Sequence, residues 1–243
     1  MPLKVALLLS GQPRSFEKGF EYHNRNLLEK YSVDVFMHTW AGNRMIENDL
    51  KKLYSKNGLA YAKLSTDNTQ CYPNTESMVK DIYTRIASDQ FPAYNTYRMF
   101  YSMFEAWELM ENTGIVYDVV VRSRYDYALN IVPPLHETRV NTVYVPADRM
   151  MKDHDFCADM FAWGTYNVMK AYCNTFHSLH YLYEKYNLTF IGEDLLSAQL
   201  KENGLTGPNM AYVNMNNPFP PGQYNGNYHS LIRDDFSKWN KDR

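Results

Sequence analysis

Two arginines and an aspartate fall within residues 122–126, Arg122-Ser123-Arg124-Tyr125-Asp126, directly after the apolar run Val119, Val120 and Val121. Charges delivered at the end of a strand-like run are not buried without partners. Two chemistries satisfy them. One is a local Arg–Asp ion pair, a structural device. The other is an anion site, with Arg124 holding diphosphate oxygens and Asp126 reaching a ribose hydroxyl or a divalent cation. A hard cation such as Mn²⁺ or Mg²⁺ suits carboxylate and diphosphate oxygens together.

A second apolar run, residues 5–9, ends just as abruptly in Ser10, Gly11, Gln12, Pro13 and Arg14. This turn is neither GxGxxG nor a Walker loop, which argues against a dinucleotide fingerprint or an ATPase. It offers backbone amides near a helix start, an amide side chain, and a guanidinium able to fork onto phosphate. The same residues also read as a plain turn with Arg14 as a solvated charge. A third polar cluster, His38-Thr39-Trp40, follows the run at 33–38.

Carboxylates later in the chain supply the other half of a reaction. Asp153-His154-Asp155 is followed by Asp159, and Glu193 and Asp194 open a helical pattern. In the first turn of a helix, carboxylates are favoured by the macrodipole whatever their function. They are equally placed to accept a proton from an attacking hydroxyl. The acidic stretch around Asp155 also reads as a solvated loop.

The elements that must position these groups alternate along the chain. Apolar runs at 5–9 and 33–38 predict buried parallel strands, joined by a helical segment over 14–31. Residues 43–90 read as two helices around a polar, turn-rich stretch. Residues 95–114 carry the clearest helical face (Met99, Met103, Ala106 and Met110, widened by Phe100, Phe104 and Trp107), with Gly114 as its stop. Strands are predicted at 119–121, 141–146 and 160–164, helices at 165–186 and 193–203, and a strand from 210. The Pro-, Gly- and Asn-rich tail reads as a loop before a short final helix. In an open α/β sheet, ligands bind where strands deliver their C-terminal ends at a topological switch point. All three polar clusters stand at such ends. One α/β domain with a mostly parallel central sheet flanked by helices is the expected fold.

Composition narrows the partners. The 243 residues carry a formal net charge of −2 with no long basic run, so no nucleic-acid groove is expected. No apolar run approaches the roughly 18 residues of a membrane span. The N-terminal residues read as a first strand, not a signal peptide. Three cysteines, scattered and odd in number, fit a reducing compartment, and a cytoplasmic location is expected. The histidines show no metal-ligand spacing.

Taken in order, "LLLSGQPRSF", "VDVFMHTW", "RMFYSMFEAWELM", "YDVVVRSRYDYAL" and "DMFAWGTYNVMKAY" resemble a family of glycosyltransferases from large DNA viruses, phages and bacteria with elaborate surface glycans. The likeness spans about residues 5–200. It implies a single Rossmann-like domain of GT-A type over residues 1–243, with a nucleotide-binding half at about 1–130 and an acceptor-side half at about 131–243. It further implies a nucleotide-diphosphate sugar donor and a glycan or glycoprotein acceptor. By this resemblance Ser10, Gly11, Gln12, Arg14, Arg98, Arg124 and Asp126 bind the donor, and residues 124–126 stand where GT-A enzymes carry an Asp-x-Asp metal motif. Arg124 replaces the first aspartate of that motif, so diphosphate is neutralised either by arginine alone or with a cation on Asp126 and Asp155. Asp194, with Glu193 beside it, is the expected base of an inverting transfer, and Asp159 or Asp155 the reserve. The rival reading is a non-catalytic nucleotide-sugar or glycan-binding domain on the same fold.

Overall fold

Strand β1 (Lys4–Ser10) is apolar from Val5 to Leu9 because both of its faces are covered. In the computed structural model, which describes residues 2–40, 44–55, 58–65, 93–147 and 157–213, it lies inside a seven-stranded sheet. The order is β3-β2-β1-β4-β6-β5-β7. The other strands are β2 (Ser32–Trp40), β3 (Ala60–Ser65), β4 (Val119–Ser123), β5 (Val143–Pro146), β6 (Ala162–Gly164) and β7 (Met210–Val213). β1 pairs in parallel with β2 and β4, β2 with β3, and β5 with β7, while β6 runs antiparallel to β4 and β5. The expected α/β fold with a mostly parallel sheet is the fold observed.

Two apolar layers sandwich this sheet. Ala6, Leu8, Phe36 and Val120 point to one side, where they meet α3 (Ala93–Glu111), α4 (Tyr166–Cys173), α5 (Leu179–Tyr186) and α6 (Gly192–Glu202). Val5, Leu7, Leu9, Val119 and Val121 point to the other side and meet α1 (Phe16–His23) and α2 (Arg44–Tyr54). Each fully buried leucine in β1 contributes about 1.5–3 kcal/mol. Among the described residues no helix is long and apolar enough to cross a membrane.

The structure corrects the reading of 43–90 in one place. Residues 60–65 form strand β3, not part of a helix, and pair with β2 from Val35–Ala60 to Trp40–Ser65. At the sheet's end this strand stays half-exposed, so it lacks the solid apolar run of an interior strand. The helix expected over 165–186 is broken by a 3₁₀ turn at Asn174–Ser178. There the Asn174 amide donates to Lys170 O at 2.9 Å and the Thr175 hydroxyl to Tyr172 O at 2.8 Å, competing with the α-helical ladder. The second helix read within 43–90 and the tail after residue 213 lie outside the described residues.

The chain fills the sheet outward from β1 to β2 and β3, then crosses back along α3 to place β4 on the opposite side of β1. That reversal makes β1 and β4 the switch point, the place where open α/β sheets offer a ligand its crevice. α1 is held close beneath it. A Cβ built on Gly19 would lie 1.8 Å from the Tyr125 carbonyl oxygen. Gly19→Ala therefore has to lift α1 off residues 125–126, and urea unfolding should show a loss of about 1–3 kcal/mol. Unchanged stability would mean that α1 does not pack there.

Candidate active site

Register brings the polar strand ends to one edge. Ser10 stands opposite His38, Leu9 opposite Ser123, and Trp40 opposite Ser65. Strand alternation then sorts them by face. Ser10, His38 and Arg122 follow Leu8, Phe36 and Val120 toward α3, whereas Ser123 turns toward α1.

On the α3 side, a buried relay holds the turn after β1. Gly11, at φ 110°, adopts a backbone conformation that L side chains rarely reach. Its N–H donates to Ser102 Oγ at 2.9 Å. The same oxygen lies 2.8 Å from His38 Nδ1 and 3.2 Å from His38 O, and His38 Nε2 lies 2.9 Å from Ser65 Oγ. One assignment satisfies every group. Ser102 donates to His38 O and accepts from Gly11 N–H and from His38 Nδ1–H, leaving Nε2 to accept from Ser65. Burial pushes His38 down to about 3, the Glu105 carboxylate opposing and Lys63 assisting, so the ring is neutral at physiological pH. Ser102→Ala should leave the Gly11 amide and the His38 ring unsatisfied and cost about 1–3 kcal/mol in chemical denaturation. A loss below about 0.5 kcal/mol would dissociate the turn from this relay.

Within the turn, Arg14 Nη2 donates to Gln12 Oε1, and Arg14 N to Gln12 O at 2.8 Å. Gln12 is exposed and Arg14 half-buried. Arg98, on α3, places its guanidinium 5.2 Å from the centroid of the Trp40 ring, and Tyr101 lies 5.4 Å from the same ring. Residues of the turn after β1, of β2 and of α3 therefore meet at one end of the sheet.

Beyond β4, Arg124 and Asp126 form a bidentate pair, Nε to Oδ1 at 2.8 Å and Nη2 to Oδ2 at 2.9 Å. Asp126 is 3% exposed, while the Arg124 side chain is 28% exposed. Tyr125 is pinned between them, its hydroxyl donating to His38 O at 3.1 Å. Below, His23 bridges Tyr54 Oη and Ser123 Oγ, each at 3.0 Å. Burial pushes His23 down to about 4 against the attraction of Asp126. The ion-pair alternative for residues 124–126 is thus realised, and both Asp126 oxygens are taken by Arg124.

Two further carboxylates converge on this pair. Burial alone would lower the Arg124 guanidinium, but the Asp126 fork, with Asp159 and Glu193 adding their charge, holds it above its ordinary value. Asp159 arrives just before β6, whose antiparallel course brings its start beside the end of β4. Glu193 arrives on the first turn of α6. Gly192 packs against both neighbours: a Cβ there would lie 2.8 Å from Met99 Cε and 3.2 Å from Asp159 Oδ2. Ser197 secures the neighbouring segment, its Oγ accepting from Cys157 N–H at 3.0 Å. Asp194 shares the first turn of α6 and is half-buried.

No family model and no curated protein matches the chain. Among solved structures, the glycosyltransferase GlyE of Streptococcus pneumoniae TIGR4 aligns at 10% identity with a TM-score of 0.45, over 88% of this chain and 46% of that one. Its apo form aligns with a TM-score of 0.46, over 88% and 45%. The chain therefore spans less than half the length of these proteins.

The predicted donor and base residues are thus sorted by geometry. Ser10 and Gly11 line the same strand edge as Arg124 and Asp126, and Asp159 and Glu193 join that pair. Asp155, with Asp153 and His154, lies outside the described residues. Among the described residues, no group of three or more His, Cys, Asp or Glu side chains is arranged to hold a metal ion. Sequence reasoning missed Ser102, Ser65 and His23. The available signal was a serine and a glutamate, Ser102 and Glu105, set three apart within the apolar face of α3.

Proposed function

We propose that the protein is a glycosyltransferase of GT-A type, transferring a sugar from a nucleotide-diphosphate sugar to a hydroxyl of a glycan or glycoprotein. One observation carries this reading. Arg124, Asp126, Asp159 and Glu193, from three separate segments, share one electrostatic cluster at the crevice between β1 and β4. A cation for a leaving diphosphate and carboxylates for an attacking hydroxyl are the two requirements of such a transfer. The donor lies over the residue 10–14 turn, with Arg98 and Trp40 at its flank.

Asp159 is the base this geometry favours, with Glu193 beside it and Asp194 the alternative on the same helix turn. The acceptor oxygen gives its proton to the carboxylate and attacks the anomeric carbon. The bond from that carbon to the phosphate oxygen breaks, and its electron pair leaves with the nucleoside diphosphate. Guanidinium groups at the end of β4 meet the charge that develops there. Attack opposite the leaving group inverts the anomeric configuration. A Mn²⁺ or Mg²⁺ ion held by Asp126 would share its carboxylate with the Arg124 fork and would help to neutralise the diphosphate.

Thermal shift against a panel of UDP- and GDP-sugars tests the reading, since a bound donor raises stability by RT ln(1 + [L]/Kd). Stabilisation by one nucleotide class, followed by sugar transfer to an added hydroxyl acceptor, is the expected result. Donor binding with no turnover under any acceptor would return the protein to the non-catalytic, binding-domain reading.

A further inference from the structure

Arg124 was the arginine the sequence singled out, yet it is Arg122 that the fold leaves unmatched. Arg122 is 1% exposed on the α3 face of β4, where its charge bears on Cys157, Tyr172 and Cys173. Among the described residues its hydrogen bonding is a long contact from Nη2 to Ser10 Oγ at 3.5 Å. Nε and Nη1 are buried with no hydrogen-bond partner among those residues. A guanidinium carries five N–H donors in a rigid fork that matches phosphate oxygens two at a time. Arg124, by contrast, already spends that fork on Asp126.

A buried cation with most of its donors unmet is costly, and a well-packed apolar residue of similar volume would serve the core better. Its position is also specific. The hydroxyl it touches belongs to Ser10, the last residue of β1, immediately before the turn whose Gly11 amide is fixed by Ser102. Asp159 and Glu193, whose charges bear on Arg124, bear with Arg122 on Cys157 as well.

We infer that Arg122, rather than Arg124, grips the anionic end of the ligand, a diphosphate group seated between the ends of β1 and β4. The inference rests on the nucleotide-sugar reading for what is attached to that diphosphate, but not for the anion itself. Arg124 is then a positioning residue, held by Asp126 at the rim of the site. Because Arg122 is buried, gripping the anion requires its guanidinium to turn toward the strand end about its side-chain bonds, its Cα staying in the sheet.

The test compares inorganic pyrophosphate, UDP, GDP and the nucleosides uridine and guanosine on wild type, Arg122→Met and Arg122→Lys, by calorimetric titration and thermal unfolding. Arg122→Met should weaken pyrophosphate and the bound nucleoside diphosphate by about 10–150-fold, the loss of one charge-assisted contact. Its melting temperature should be unchanged or higher, which a purely structural arginine would not allow. Arg122→Lys keeps the charge without the fork and should fall between. Nucleoside affinity should not move. If wild type binds UDP or GDP and Arg122→Met binds it equally well, the inference is overturned while the nucleotide reading stands. If pyrophosphate binds through Arg122 but neither nucleoside diphosphate binds, the anion site holds and the nucleotide reading falls. Melting of Arg122→Met well below wild type, with pyrophosphate affinity unchanged in Arg122→Lys, would make Arg122 a structural residue.

Discussion

Asp159→Asn is expected to lower sugar transfer by about 10²–10⁴-fold while leaving donor affinity nearly unchanged. The magnitude follows from the role. An amide of the same shape keeps the packing against Gly192 but accepts no proton, so only the transfer step suffers. Asp159 is half-buried, reaches the cluster from the start of β6, and adds its charge to Arg124. Glu193→Gln and Asp194→Asn belong in the same experiment, since both open α6. A large loss in Asp194→Asn with near-normal Asp159→Asn would move the base to the residue the sequence favours. Near-normal turnover in all three, with retained anomeric configuration, would remove the carboxylate base altogether.

Stability should fall steeply as the solution is acidified from pH 7 to pH 5. Two histidines are buried neutral, His23 pushed down to about 4 and His38 to about 3, burial being the main cause in each. Their unfolded value is about 6.5. Both folded values are depressed, so between them and 6.5 the unfolded chain binds protons that the native state refuses. The contribution is fully present above pH 6.5 and is lost as pH falls through that window. At pH 5 each histidine costs about 2 kcal/mol relative to neutrality, against a total near 5–15 kcal/mol for an ordinary domain. Urea unfolding at the two pH values measures it. A His23→Gln, His38→Gln double variant, less stable at pH 7, should lose most of this pH dependence. An equal slope in wild type and double variant would mean that neither histidine is held neutral.

Much of the architecture was legible because interior strands and long amphipathic helices write their periods into the sequence. β1, β2, β4 and α3 fall where solid apolar runs and the Met-rich face predict them. β3 did not, since a half-exposed edge strand needs its neighbour, not its own pattern, to exist. The break after Cys173 depends on side chains bonding back to carbonyls, which composition alone does not reveal.

The site was legible in place but not in pairing. Polar residues ending apolar runs gather at one end of the sheet, and Asp159 and Glu193 approach the Arg124–Asp126 pair there. Which arginine would be neutralised was a matter of geometry. Arg124, beyond the end of β4, reaches Asp126 two residues on, whereas Arg122, still within the strand, points to the α3 face, where among the described residues no carboxylate hydrogen-bonds it. The relay fixing Gly11 joins residues 64 and 91 positions apart, beyond any local motif. Asp126 illustrates the same limit. Its spacing from Arg124 fits a metal motif and an ion pair equally, and the fork appears only in the fold.

The central claim is that this cluster cleaves the bond between a sugar and a nucleoside diphosphate. Its most direct measurement is release of free nucleoside diphosphate from UDP- and GDP-sugars by the purified protein, first without and then with a hydroxyl acceptor. Slow release from one donor class is expected, strongly accelerated by acceptor and abolished with Asp159→Asn. No release from any donor in the presence of acceptor, by protein that binds the same nucleotide, would contradict it.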